Sequence, residues 1–201
     1  MSQESENMQL EDELTLLERR DEYVILLEGT NRRQRQEASH ALAQMAQVAP
    51  DIVVEIADVL VGSLSLPEAQ TRWECLNALS TIALNYPEEV LDGFAGAEDA
   101  LFDDVSAQAR LSAFRYLSRY GSSAPSRSLE AWPLLSEALQ CYHGDPEYRE
   151  MLSCLLEFVR GDIDESVREA LVTRMVFDSK NGRGLIRAYS REIIAVAEGQ
   201  K

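Results

Sequence analysis

The groups in this chain able to do chemistry are few and scattered. His40 and His143 lie far apart, with no His-Glu-x-x-His pair to hold zinc and no serine elbow to hold a nucleophile. Cys75, Cys141 and Cys154 form no C-x-x-C pair and are too few for a disulfide framework, which fits a reducing, cytoplasmic setting. Cys141-Tyr142-His143 places two potential ligands side by side, short of the four that a structural zinc needs. Glu88-Glu89 and Asp103-Asp104 pair carboxylates, but both sit where helices begin, so they read as charges for the helix dipole rather than metal ligands. There is no Walker loop and no G-x-G-x-x-G. Asn181-Gly182-Arg183-Gly184 has the make-up of a phosphate cradle at a helix start, though a plain inter-helix loop is the simpler reading. The expectation is a protein with no catalytic centre, no metal and no cofactor.

Composition sets further bounds. The 201 residues are 45% hydrophobic and 27% charged, ordinary for a globular chain, but 35 acids against 19 bases give a net charge of −16. Clustered Lys and Arg drive nucleic-acid binding, so that balance makes a nucleic-acid partner unlikely. The most apolar run, Ile52 to Leu66, is broken by Glu55 and Asp58 and falls short of a membrane span. Met1 to Glu13 is polar and acidic, unlike a signal peptide. Residues 1–8 are expected to fray, and residues 9–201 to form a single domain.

Proline and glycine cut the rest into pieces of helical length. Pro50, Pro67, Pro87 and Pro146 each precede an acid, the pairing that suits a first helical turn. Gly29, Gly121, Gly144, Gly161 and Gly182 each follow an apolar-periodic stretch. Ala38, Ala41, Leu42, Met45 and Ala46 fall on one helical face, as do Cys75, Ala78, Leu79, Ile82 and Ala83. The spacing predicts ten helices, near 10–28, 31–48, 50–64, 67–85, 87–102, 105–120, 128–142, 145–160, 164–178 and 183–198. The fifth contains Gly93 and Gly96, each costing up to about 1 kcal/mol in a helix interior.

Every second helix repeats. Arg35, Arg72, Arg110, Arg149 and Arg187 are spaced 37, 38, 39 and 38 residues apart. Each is followed at +6 and +7 by an apolar pair: Ala41-Leu42, Ala78-Leu79, Tyr116-Leu117, Leu155-Leu156 and Ile193-Ile194. The run Arg72-Trp73-Glu74-Cys75-Leu76-Asn77-Ala78-Leu79-Ser80-Thr81-Ile82-Ala83 resembles the second helix of a HEAT repeat, and the period suits the HEAT and armadillo families. The resemblance implies an all-α, right-handed α-α superhelix of about five helix pairs. It implies that the five arginines form a structural ladder, each pairing with an acid in the turn before it: Glu68 for Arg72, Asp104 for Arg110, Asp145 for Arg149. The valine that precedes the arginine in HEAT repeats is missing from all five copies. A closer match, Asp164-Glu165-Ser166-Val167-Arg168-Glu169-Ala170, lies half a period out of register, which leaves open the layer of helix 164–178.

Counted by layer, first-helix segments sum to −24 and second-helix segments to +8. In such solenoids the second helices line a concave groove that binds partners. The row five and nine residues after each ladder arginine would face it: His40 and Gln44, Asn77 and Thr81, Arg115 and Arg119, Cys154 and Phe158, with Trp73 beside. The candidate contacts are Arg115, Arg119, Trp73, Asn77, His40, Gln44 and Phe158. The function expected is a non-enzymatic scaffold or adaptor holding a protein or peptide in the groove. The alternative is a HEAT-scaffold enzyme of DNA-glycosylase type, which wants a more basic groove than +8 provides.

Overall fold

The computed structural model describes residues 3–199, with side chains described from residue 14 onward; the first two residues of the expected frayed segment lie outside them. Eleven α-helices follow in order, and no strand occurs among the described residues. They are α1 (Gln3–Glu28), α2 (Arg32–Val48), α3 (Pro50–Val53), α4 (Ala57–Gly62), α5 (Ala69–Ile82), α6 (Phe94–Leu101), α7 (Ala107–Gly121), α8 (Pro125–Cys141), α9 (Tyr148–Val159), α10 (Glu165–Asn181) and α11 (Gly184–Ala197). No described helix is long and apolar enough to cross a membrane.

Local chemistry sets the boundaries. Asn31 Oδ1 accepts the N–H groups of Arg33 and Gln34 at 3.0 and 3.3 Å, and Ser106 Oγ accepts that of Ala109 at 3.1 Å. Asp164 Oδ1 accepts the N–H of Ser166 at 2.9 Å, which caps α10. Pro50 and Pro125 open α3 and α8, where a missing N–H costs nothing. Gly144 turns the chain between α8 and α9 at φ +97°, a conformation that only glycine adopts without strain.

Two expected helices are interrupted. The stretch predicted at 50–64 tightens to 3-10 geometry over Val54–Ile56 and again over Ser63–Ser65. The first break begins at the end of the β-branched run Ile52-Val53-Val54, whose side chains crowd the preceding turn. The stretch predicted at 87–102 is 3-10 over Pro87–Gly93 and becomes α-helical from Phe94. Gly93 marks that change.

Two compact units divide the chain, Met1–Gly93 and Phe94–Lys201. In the first, α1 packs on α2, α2 on α5, and the 50–65 stretch on α5. Leu27, Ala38, Leu42, Leu60, Cys75, Leu76, Leu79 and Ile82 fill its core. In the second, α6 and α8 both pack on α7, and α10 packs on α11. Second helices touch second helices, α7 to α9 and α9 to α11, while α10 touches α8. Helix α10 therefore belongs with the first helices. Phe114, Tyr116, Leu117, Leu135, Leu139, Tyr148, Leu152, Leu155, Phe158 and Leu171 make the core of this unit. Each such side chain contributes roughly 1.5–3 kcal/mol by leaving water.

Polar contacts follow the same nearest-neighbour logic. Tyr86 donates to Asp51 and His143 meets Asp178 across 35 residues, His40 meets Glu74 across 34, Arg110 reaches Glu147 across 37, and the Asp164 N–H reaches Ser128 across 36. One repeat length separates each pair, as stacked hairpins require.

Candidate partner-binding face

In the first unit the second-helix face is made by α2 and α5. Gln44 Nε2 lies 3.0 Å from His40 Nε2, and His40 Nδ1 lies 2.8 Å from Glu74 Oε1. A side-chain amide N–H donates to a ring nitrogen that carries no proton, so this geometry sets His40 as the Nδ1–H tautomer, donating to Glu74. His40 and Gln44 are exposed, and Trp73 and Asn77 are half-buried on α5. The Asn77 carbonyl accepts Thr81 Oγ1 at 3.0 Å, which ties the next residue of the row to the helix.

Below this row lies the ladder, paired differently from the expectation. Arg35 donates to the Gly29 carbonyl at 2.9 Å and to Glu68, an acid of the following repeat. Arg110 does the same in the second unit: 2.8 Å to the Asp103 carbonyl and 2.9 Å to Glu147. Glu68 therefore serves Arg35, not Arg72, and Asp104 and Asp145 are exposed and take no part as rungs. The reason is geometric. The acid stands at the start of its own second helix, which brings it beside the start of the preceding one. Arg110 also lies 4.7 Å from the centre of the Tyr142 ring, a cation–π contact. Arg72 is half-buried on α5, and Arg187 donates to the Gly182 carbonyl at 2.8 Å.

Arg149 is a correction. It is exposed and pairs with the adjacent Glu150. The turn before α11 reads Asn181-Gly182-Arg183-Gly184 and carries no carboxylate, so the next rung has no acceptor.

On α7, Arg115 and Arg119 are half-buried. Arg119 Nε lies 3.5 Å from Glu157 Oε2 on α9, and Arg160 of α9 meets Glu192 of α11 at 2.8 Å. The positive count of the second-helix layer is thus partly answered by its own acids. Burial pushes the Cys154 thiol up to about 11, an effect that the neighbouring Arg115 and Arg119 charges partly oppose.

Phe158 is the second correction. It is fully buried, stacked on Trp132 with ring centres 6.3 Å apart. A Cβ at Gly121 would stand 2.9 Å from both Phe158 Cε2 and Ala131 Cβ, so the glycine admits the ring. Helix α9 is covered by α7 and α11 and buries most of its circumference, so the position exposed at Gln44 is core at Phe158.

Two clusters escaped the sequence reading. Glu55, Asp58, Glu88, Glu89 and Asp92 rim a cleft of about 620 Å³ in the first unit. Gln140, His143, Arg174, Phe177 and Asp178 line one of about 280 Å³ in the second. Each joins residues one repeat apart, a spacing that offered a signal.

No protein-family model matches the chain, and no curated protein matches it. Solved structures do. A designed armadillo repeat protein in complex with the peptide (KR)4 superposes with a TM-score of 0.73 at 13% identity, covering 87% of this chain and 80% of that one. A computationally designed armadillo repeat protein for modular peptide recognition gives 0.67 at 15% identity, covering 87% and 80%. An engineered protein from a structural genomics programme gives 0.71 at 18% identity, covering 89% and 78%. At such identities the likeness concerns fold, and with the stacked hairpins it leads to one conclusion: this chain is an all-α solenoid of the HEAT/armadillo type.

Proposed function

We propose that the chain is a scaffold that holds a segment of a partner protein along its second-helix layer and performs no chemistry of its own. The observation that carries this is the placement of polar and aromatic side chains at the surface of second helices in each unit. His40 and Gln44 stand on α2, Trp73 and Asn77 on α5, and Arg115 and Arg119 on α7. Within the first unit α2 packs on α5, so these side chains suit an extended segment that takes hydrogen bonds from one helix and then the next. Tryptophan and arginine are the usual anchors of interfaces. The designed relatives in fold include one in complex with a peptide, which supports a peptide-like partner.

The test is affinity capture from the native source with the tagged chain, repeated with Arg115→Glu and Arg119→Glu together. A stoichiometric protein partner is expected, with recovery reduced in the double variant. Unchanged recovery removes these two residues from the site. Salt-dependent retardation of DNA in a gel, with no protein recovered, favours the nucleic-acid alternative instead.

A further inference from the structure

We propose that the cleft between the end of α8 and the middle of α10 is a binding site for a carboxylate, with Arg174 as its anchor. Arg174 and Asp178 stand one turn apart on α10, a spacing that ordinarily makes an ion pair. Here Asp178 is turned inward and 4% exposed. Its Oδ1 lies 2.9 Å from His143 Nε2, and its Oδ2 accepts the Tyr148 hydroxyl, so both oxygens are engaged. The buried Nε of Arg174 is left with no hydrogen-bond partner. Nothing in the protein therefore neutralises this half-buried guanidinium through that atom, and an anion in the cleft would meet its terminal nitrogens.

The cleft beside it, about 280 Å³, has room for a group of a few atoms. Gln140 offers an amide N–H, and His143, 43% exposed, stands beside it with Nε2 committed to Asp178. Phe177, 63% exposed, gives an apolar wall for the carbon chain that bears the anion. Asp178 bears directly on the ligand's charge. Its nearby negative charge penalises a dianionic phosphate more than a singly charged carboxylate, and the planar arginine fork matches a carboxylate in two hydrogen bonds. The site lies on α8 and α10, in the first-helix layer, so it is independent of the face proposed above.

Three small probes distinguish the sources of a carboxylate. N-acetylglutamate α-amide carries it on the side chain, N-acetylglutamine carries it at the chain end, and N-acetylglutamine α-amide carries none. Each is titrated into the full chain while the Arg174 Nε–H and His143 ring signals are followed by NMR. A saturable shift with either charged probe and none with the neutral one is expected; the tighter charged probe names the source. Arg174→Gln should weaken binding about tenfold or more. Phe177→Ala, an exposed change that spares the core, should weaken it several-fold, and Arg149→Gln should change nothing. Equal response to the neutral probe, no response to any probe, tighter binding of inorganic phosphate, or full binding by a folded Arg174→Gln variant would each overturn the proposal.

Discussion

Arg35 on α2 donates to the carboxylate of Glu68, thirty-three residues later at the start of α5. Glu68 is 7% exposed. The hydrogen bond from Arg35 holds its carboxyl below the ordinary carboxylate range, against the opposing effect of burial. A folded value below the unfolded one means that the contribution is complete above the unfolded titration, near 4.5, and is lost as pH falls through the lower folded value. Glu68→Gln should cost about 2 kcal/mol at neutral pH by removing a charge-assisted bond. Denaturant melts at a series of pH values check this: the gap between wild type and variant should close as the solution is acidified below 4.5.

The same rung recurs in the second unit as Arg110 to Glu147, across 37 residues. Glu147→Gln should therefore loosen α7 and α9, whereas Glu68→Gln should loosen α2 and α5. Native-state hydrogen exchange reads this directly, because local openings report regional stability. Arg149→Ala, at an exposed pair, should change stability by no more than about 0.5 kcal/mol.

Close approach between α7 and α8 depends on Gly121. Gly121→Ala should cost about 1–3 kcal/mol, because the added carbon meets two packed core groups 2.9 Å away. Phe158→Ala should cost about 3–5 kcal/mol. Chemical denaturation measures both, and neither should alter partner capture once the fraction folded is equalised.

Cysteine reactivity should follow burial. Burial pushes the Cys75 thiol up to about 12 and the Cys154 thiol up to about 11, while Cys141 is exposed. At neutral pH a thiol reagent should modify one cysteine of the native chain, lost in Cys141→Ala, and three after denaturation. Mass spectrometry gives the count.

Much of the fold was legible in the sequence. The periodicity around Ala38 and Cys75 is local, and the one-repeat spacing of Arg35, Arg72 and Arg110 survives the variation between copies. What escaped depends on neighbours. The partner of Arg35 is set by how hairpins stack, not by the turn next to it in sequence. Phe158 occupies the same register as Gln44, yet α7 at Gly121 and α8 at Trp132 close over it. Arg149 keeps the ladder spacing but meets a turn without an acid. The His143–Asp178 contact joins residues 35 apart, and nothing local to either announces it.

A partner held by this scaffold should lie against its second helices. Photo-crosslinking residues placed singly at Gln44, Asn77 and Arg115, and at Asp58 and Glu137 in the first-helix layer, test it in the presence of the captured partner. Adducts are expected from the first three positions and none from Asp58 or Glu137. Adducts of equal or greater yield from Asp58 and Glu137 would contradict it.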